Sequence, residues 1–285
     1  DSAIYTQHGY WPKNKTIELG EQPVPETNKD FVKQFKTAFG LTRDQETGTS
    51  WVIPFVPPAF DKTELVRCFV FDFFTTILLG RLTLNICGEE INEHSVRKVA
   101  EDYQPIPDRS QEFFTFMERV TNIPKSDIRY IYEDELPRDE LLTEKDINAI
   151  RLKELRETFR AGDIVSIKLP LEVESFEAGR INSFVEIHLQ QPTIAVKTEQ
   201  LYVRSDLQIS DEKHLKAQGV FGLVMADDLA ISDFLGSCEE ASHLKWNQKE
   251  GMQQKRYKNV GPLLSKVRNT LPALYRLAVG SGSDL

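Results

Sequence analysis

Glu239, Glu240 and His243 come nearest, by type and spacing, to a reactive set. On a helix, residues four apart share a face, so Glu239 would stand beside the His243 imidazole and hold its proton or one side of a metal ion. Two ligands do not complete a site, and Glu–His pairs at this spacing are common on helix surfaces. Asp227 and Asp228 could hold Mg2+ as paired carboxylates do, but the N-cap of a following helix accounts for them with fewer assumptions. A metal-dependent hydrolase built on these five residues is therefore the least favoured of three readings. His188 sits with Glu186 on the polar positions of a strand and reads as part of a solvated face. The chain contains no G-x-x-x-x-G-K-[ST] loop, no G-x-S-x-G, no H-E-x-x-H and no G-x-G-x-x-G after a strand. No catalytic residue is assigned.

A second feature is electrostatic. Lys245, Lys249, Lys255, Arg256, Lys258, Lys266 and Arg268 face only Glu250 between residues 245 and 268, a local charge of +6 with Trp246 and Tyr257 interleaved. The whole chain carries −9 at pH 7, from 35 Lys and Arg against 44 Asp and Glu. An acidic chain excludes a whole-surface nucleic-acid footprint but leaves room for a local one. Lys245, Trp246, Lys249, Lys255, Arg256, Tyr257 and Lys258 are the candidate contacts for nucleic acid or for an acidic protein. The same cations would also suit the wet side of C-terminal helices, as complements to their dipoles.

The elements that must position these groups follow from periodicity. Helices are expected over Phe31–Phe39, stopped by Gly40, and from Asp61 through Leu79, stopped by Gly80. A buried strand is expected at Thr49–Phe55 and a half-buried one at Leu82–Ile86, followed by a helical stretch from Asn92 to about Val120. Residues 133–146 are acidic and read as a solvated connector, with Thr143 and Asp146 opening a helix to Phe159. Val165, Ile167, Leu169, Leu171 and Val173 alternate with polar residues in a strand whose Pro170 marks an edge or bulge. Val185–Leu189 and Ile194–Val203 are expected to complete an antiparallel meander, before a fourth apolar run, Val220–Met225, and a short helix to Leu235. Residues 253–277 read as a helix pair broken at Gly261-Pro262 and Pro272. The class is α+β, a mainly antiparallel or mixed sheet packed by helices. Cys68, Cys87 and Cys238 are far apart in the sequence and form neither a Cys-x-x-Cys pair nor a disulfide framework, as in a reduced, cytoplasmic protein. The longest apolar run is too short to span a bilayer, so no membrane partner is expected.

His8-Gly9-Tyr10-Trp11, the Phe31…Phe35…Phe39-Gly40-Leu41-Thr42-Arg43 segment and Glu46-Thr47-Gly48-Thr49-Ser50-Trp51-Val52-Ile53-Pro54-Phe55 together resemble the region just after the ATP lid of bacterial GHKL-type, MORC-related ATPases, the kind often encoded in phage-defence loci. The helix and strand up to residue 90 and the Ala226-Asp227-Asp228-Leu229 and Glu239…His243…Trp246-Asn247 stretches are similar to segments downstream of the lid in these proteins. The resemblance implies that residues 1–90 hold the end of a nucleotide-binding domain and the following helix and strand. It implies further that 91–142 are a helical acidic connector and 143–279 a transducer-like (ribosomal S5 domain 2-like) portion with C-terminal helices, with 280–285 left as a linker or tag remnant. The acidic base, Mg2+-binding Asn, Asp-x-Gly-x-Gly turn and Gly-rich lid of such ATPases are not in this sequence. The chain is thus expected to hold no cofactor and to be inactive toward ATP by itself, while its parent would use ATP and Mg2+. Expected partners are its own N-terminal ATP-binding domain, a second copy in a homodimer, and a nucleic acid or partner protein. Transducers of this superfamily reach the γ-phosphate with one cation; Arg180 and Lys197 are the candidates here.

Overall fold

The structure, a computed structural model, describes residues 26–42, 61–104, 109–132, 142–240, 242–248 and 253–280. The chain divides into two compact units, Asp1–Pro58 and Ala59–Leu285. In the first, α1 (Lys29–Ala38) begins at Asn28, whose side chain accepts from the N–H groups of Asp30 and Phe31. It ends at Gly40, whose φ of 63° lets Leu41 N–H bond back to the Lys36 carbonyl, as expected of a glycine stop. The strand expected at Thr49–Phe55 and the acidic run 133–141 lie outside the described residues.

The second unit is α+β: a six-stranded mixed sheet and a two-stranded antiparallel one, packed by helices. It opens with α2 (Lys62–Leu78), capped by Asp61 and ended at Gly80 with φ 68°. β1 (Leu84–Ile86) and β2 (Glu89–Ile91) form a hairpin whose two-residue turn, Cys87-Gly88, has positive φ at both positions, the backbone that matches strand twist. The expected helical stretch 92–120 is two helices, α3 (Val96–Asp102) and α4 (Gln111–Thr121); Pro105 and Pro107 lie between them and cannot continue a helix. β3 (Arg129–Tyr130) follows, and Thr143–Asp146 does not cap α5 (Ala149–Arg160): residues 144–146 make a single 3-10 turn, and Asn148 supplies the cap.

β4 (Val165–Ser175) and β5 (Gly179–Gln190) are the long antiparallel hairpin that the alternation predicts. The meander does not close as expected. β6 (Glu199–Arg204) and β7 (Leu207–Ile209) pair with each other, but β8 (Phe221–Ala226) inserts between β5 and β6, antiparallel to the first and parallel to the second. The sheet order is β3-β4-β5-β8-β6-β7. All six residues of β8 are buried, and a strand apolar on both faces is stable only in the middle of a covered sheet. α6 (Leu229–Ser237), α7 (Gln253–Arg256), α8 (Val260–Arg268) and α9 (Thr270–Val279) complete the chain. The Gly261-Pro262 and Pro272 positions fall in the first turns of α8 and α9, where a missing N–H costs nothing.

Each face of the sheet has its own core. On one, Leu169, Ile187, Tyr202 and Val224 pack against Leu155, Phe159, Phe234 and Leu274 of α5, α6 and α9. On the other, Leu201, Val203, Phe221, Leu223 and Met225 pack against α2, α3 and α4 through Val70, Phe74, Ala100, Phe113 and Phe116. Residues 61–121 therefore belong to the same core as the sheet, not to a separate connector before it. The β4–β5 half of the second face is polar. It holds Ser166, Lys168, Glu186, His188 and Gln190, and the last three are nonetheless buried. His188, expected on a solvated face, is fully buried. Among the described residues no helix is long and apolar enough to cross a membrane.

Candidate functional site

The hairpin end of β4 and β5 gathers three of the cations. Phe176 N–H donates to the Arg256 carbonyl at 3.0 Å and Lys258 N–H to the Glu174 carbonyl at 2.8 Å, so residues 256–258 are stitched to the end of β4. Arg180 from β5, Lys258 from this segment and Lys266 from α8 then line one cleft of about 150 Å³ with Glu172 and Glu174. Arg180 pairs with Glu172 at 3.4 Å and Lys258 with Glu174 at 3.0 Å. An incoming anion would compete with two resident carboxylates for these cations.

Lys197 is elsewhere. It lies in the loop before β6, whose Glu199 pairs with Phe221 of β8, which pairs on its other side with Gln190, so Lys197 is at the level of the far end of β5. Ten strand residues separate Arg180 from Gln190, about 30 Å of extended chain. Arg180 and Lys197 cannot serve one phosphate. The aromatic part of the basic segment is also not displayed. Trp246 is 2% exposed and Tyr257 7%; Trp246 packs edge-on to Tyr202 and Tyr257 edge-on to Phe234. Stacking on bases by these rings is excluded by their burial, which leaves the cations. Lys255 and Arg256 are exposed, Lys245 pairs with Glu240 at 3.4 Å, and Lys249 lies outside the described residues.

The densest polar network surrounds Trp246. Glu239 and His243 do meet, at 2.7 Å, but not on a helix. α6 has ended, and Asn247 N–H returns to the Cys238 carbonyl at 2.5 Å, closing a loop in which His243 has φ 56°. The Glu239 carboxylate, 2% exposed, is bound by both Nε and an Nη of Arg204, at the end of β6. A guanidinium on both of its oxygens leaves little for a metal, and among the described residues no group of three or more His, Cys, Asp and Glu could hold one. On the other side of Trp246, buried Glu212 accepts from Trp246 N–H at 2.9 Å, from Arg268 Nε and Nη at 3.0 and 2.8 Å, and contacts His214. Arg268 also donates to the Trp246 carbonyl at 2.5 Å. Sequence reading missed Glu212: its partner is 56 residues away, and the only signal was Arg268 within the basic run.

Burial alone would raise the Glu212 carboxyl; the His214, Arg268 and Trp246 donors outweigh it and hold it at about 2. Because the folded value lies below that of the unfolded chain, the associated stability is present above about pH 4.5 and is lost as pH falls toward 2. Glu212→Gln should cost about 3 kcal/mol at pH 7, since it leaves Arg268 partly buried without its carboxylate; urea unfolding checks this, and the acid dependence of the variant between about pH 4.5 and 2 should be smaller than the wild type's by about one proton.

Asp227 and Asp228 have separate duties. Asp228 accepts from Ala230 N–H at 3.3 Å as the α6 cap and from the Ser183 hydroxyl at 2.5 Å. Asp227 accepts from Arg81 at 2.8 Å, and Arg81 reaches Asp206 at 3.4 Å. In the last turn of α2, Thr76 donates to the Asp206 carbonyl at 2.8 Å. The C-terminal end of α2 is thereby latched to the β6–β7 turn and to the start of α6.

No family model matches the chain, and no curated protein or solved structure is significantly similar to it.

Proposed function

We propose that this chain is the coupling portion of a GHKL-type, MORC-related ATP-binding protein, and that it transmits nucleotide state to a partner without turning over ATP itself. The parent would bind ATP and Mg2+ through a domain preceding these residues, act as a homodimer and serve anti-phage defence. The observation that carries the reading is the latch. α2 comes directly after the segment that resembles the post-lid region. Its apolar face packs on the sheet; Thr76 in its last turn bonds to the Asp206 carbonyl, and Arg81, just past the Gly80 stop, reaches Asp206 and Asp227. A displacement of α2 is delivered to the β6–β7 turn through Thr76 in the helix itself and to the start of α6 through Arg81.

Amide hydrogen exchange on the longer gene product, with and without Mg2+ and a non-hydrolysable ATP analogue, tests this. Protection should change in α2 and around residues 204–208. Arg81→Ala should keep the change in α2 and reduce that at 204–208 at least threefold. An unchanged response at 204–208 in the variant would remove the latch from the mechanism.

A second reading, a non-enzymatic module for nucleic acid or an acidic protein, is favoured by the convergence of Arg180, Lys258 and Lys266 on one cleft. Charge reversal at Lys255, Arg256 and Lys258 should then abolish a salt-sensitive association with DNA or RNA, measured by fluorescence anisotropy. Unaltered association would dispose of this reading.

A further inference from the structure

The outer edge of β4 is paired at both ends and open between them. The Lys168 carbonyl accepts Ile131 N–H at 3.0 Å and the Glu174 carbonyl accepts Lys258 N–H at 2.8 Å, so the even-numbered residues of β4 turn their backbone groups away from β5. Pro170 and Glu172 lie between these two and point the same way. Neither the Pro170 carbonyl nor the N–H and carbonyl of Glu172 has a backbone partner among the described residues. β3 stops for a chemical reason. The next rung of its parallel ladder would be an N–H from residue 170 to the Ile131 carbonyl, and proline has none.

The opening from residue 170 to residue 174 is about 13 Å of extended chain, and the cleft of about 150 Å³ beside Lys258 lies along it. An edge belongs to both faces of a sheet. On one side of this edge Leu171 stands with Pro262 and Leu263 of α8, and on the other Glu172 is paired with Arg180. Backbone N–H and C=O groups exposed at strand spacing are matched by another extended backbone. The two ends, already paired with β3 and with residues 256–258, exclude a long strand and leave room for about three residues.

We propose that the β4 edge at residues 170–172 receives a short extended segment of a partner protein by strand addition, with polar, apolar and polar residues in turn. Glu172 N–H donates to a carbonyl of the segment, and the N–H groups of its first and third residues donate to the carbonyls of Pro170 and Glu172. The middle side chain falls on the face of Leu171 and meets Pro262 and Leu263. This role requires neither ATP nor nucleic acid.

The test uses the whole chain and the peptide acetyl-Thr-Val-Thr-amide, titrated to about 20 mM and followed by amide-resolved NMR, a range that detects millimolar affinity. Two analogues each carry one N-methyl group, on the amide of the last threonine, which faces β4, or on that of valine, which faces away. The parent peptide should shift the signals of residues 169–175 in a saturable way. The valine analogue should bind within threefold of it and the threonine analogue at least tenfold more weakly. Glu172→Pro removes the edge donor at a position whose N–H takes no part in the β4–β5 ladder, so the fold is kept, as the remaining signals report. It should weaken the parent peptide at least tenfold, and Glu172→Gln less than threefold; the two analogues decide the question on the wild-type chain. Absence of shifts would overturn the proposal, as would equal binding by the two analogues or binding indifferent to Glu172→Pro. Shifts at residues 171 and 172 with a thymidine oligonucleotide, and none with the peptide, would give the edge to nucleic acid and overturn it too.

Discussion

Between pH 6.5 and 4.5 the protein should lose about 2 to 3 kcal/mol of stability through one residue, His188. Burial, with a smaller contribution from the nearby Lys125 ammonium, drives the imidazole down to about 3. The unfolded chain takes up a proton near pH 6.5 while the folded one stays neutral, so the unfolded state binds more protons and stability falls as the solution is acidified. The slope approaches about 1.4 kcal/mol per pH unit, and the total reaches about 4 to 5 kcal/mol by pH 3. The groups facing the ring do not cancel this. Glu186, itself buried, is paired with Lys125 at 2.5 Å and with Lys168 at 3.9 Å, so no unpaired carboxylate stands ready to receive an imidazolium. Glu199 and Asp72, whose carboxyls burial raises, act with the opposite sign. His188→Gln leaves them in place, so the difference between variant and wild type isolates the histidine. Urea unfolding at pH 7, 6, 5.5 and 4.5 should show the dependence reduced by about one proton in the variant. A variant with the full wild-type slope would mean that the folded protein protonates His188 and that the sheet face is open to water.

The second large effect concerns the packing of α4 on the sheet. Phe113 is fully buried, with its ring 5.4 Å from Phe221 of β8 and 5.6 Å from Phe116, and the Arg109 guanidinium lies over it at 5.4 Å. Phe113→Ala removes the ring from the centre of the second core, and such truncations cost about 3 to 5 kcal/mol. For a unit of this size that lowers the thermal midpoint by about 10 °C. Tryptophan fluorescence in a Trp11→Phe, Trp51→Phe background is the informative probe, because Trp246, the remaining one of the chain's three tryptophans, reports from the opposite face of the sheet. If residues 61–121 share one cooperative unit with the sheet, far-UV circular dichroism and fluorescence should shift together. Two separate transitions, with only one of them moved, would restore the sequence-based division into connector and transducer.

That division was the natural one to draw from the chain itself, and it marks the reach of local patterns. α2 could be placed within three residues from its i, i+4 apolar repeat and its glycine stop, and β4 from five alternations, because both signals are local. The insertion of β8 between β5 and β6 could not be read, since alternation assigns faces and not neighbours. His188 reads as solvated because its strand alternates cleanly. The helices that build the second core begin at Lys62, Val96 and Gln111, far earlier in the chain, and no local pattern couples the two. The Glu239–His243 pair was legible in its spacing although its backbone is a loop, whereas Glu212 with Arg268 was not, for their contact is purely tertiary. The same limit hid the open stretch of the β4 edge, which exists only because β3 and residues 256–258 stop on either side of it.

The coupling role stands or falls on where ATP is consumed. Steady-state ATP turnover, measured side by side on the longer gene product and on this 285-residue chain at saturating Mg2+, addresses that directly. Hydrolysis by the longer product, with none above background by the chain, is the expected result. Turnover by the chain alone, or a longer product that neither binds nor hydrolyses nucleotide, would contradict it.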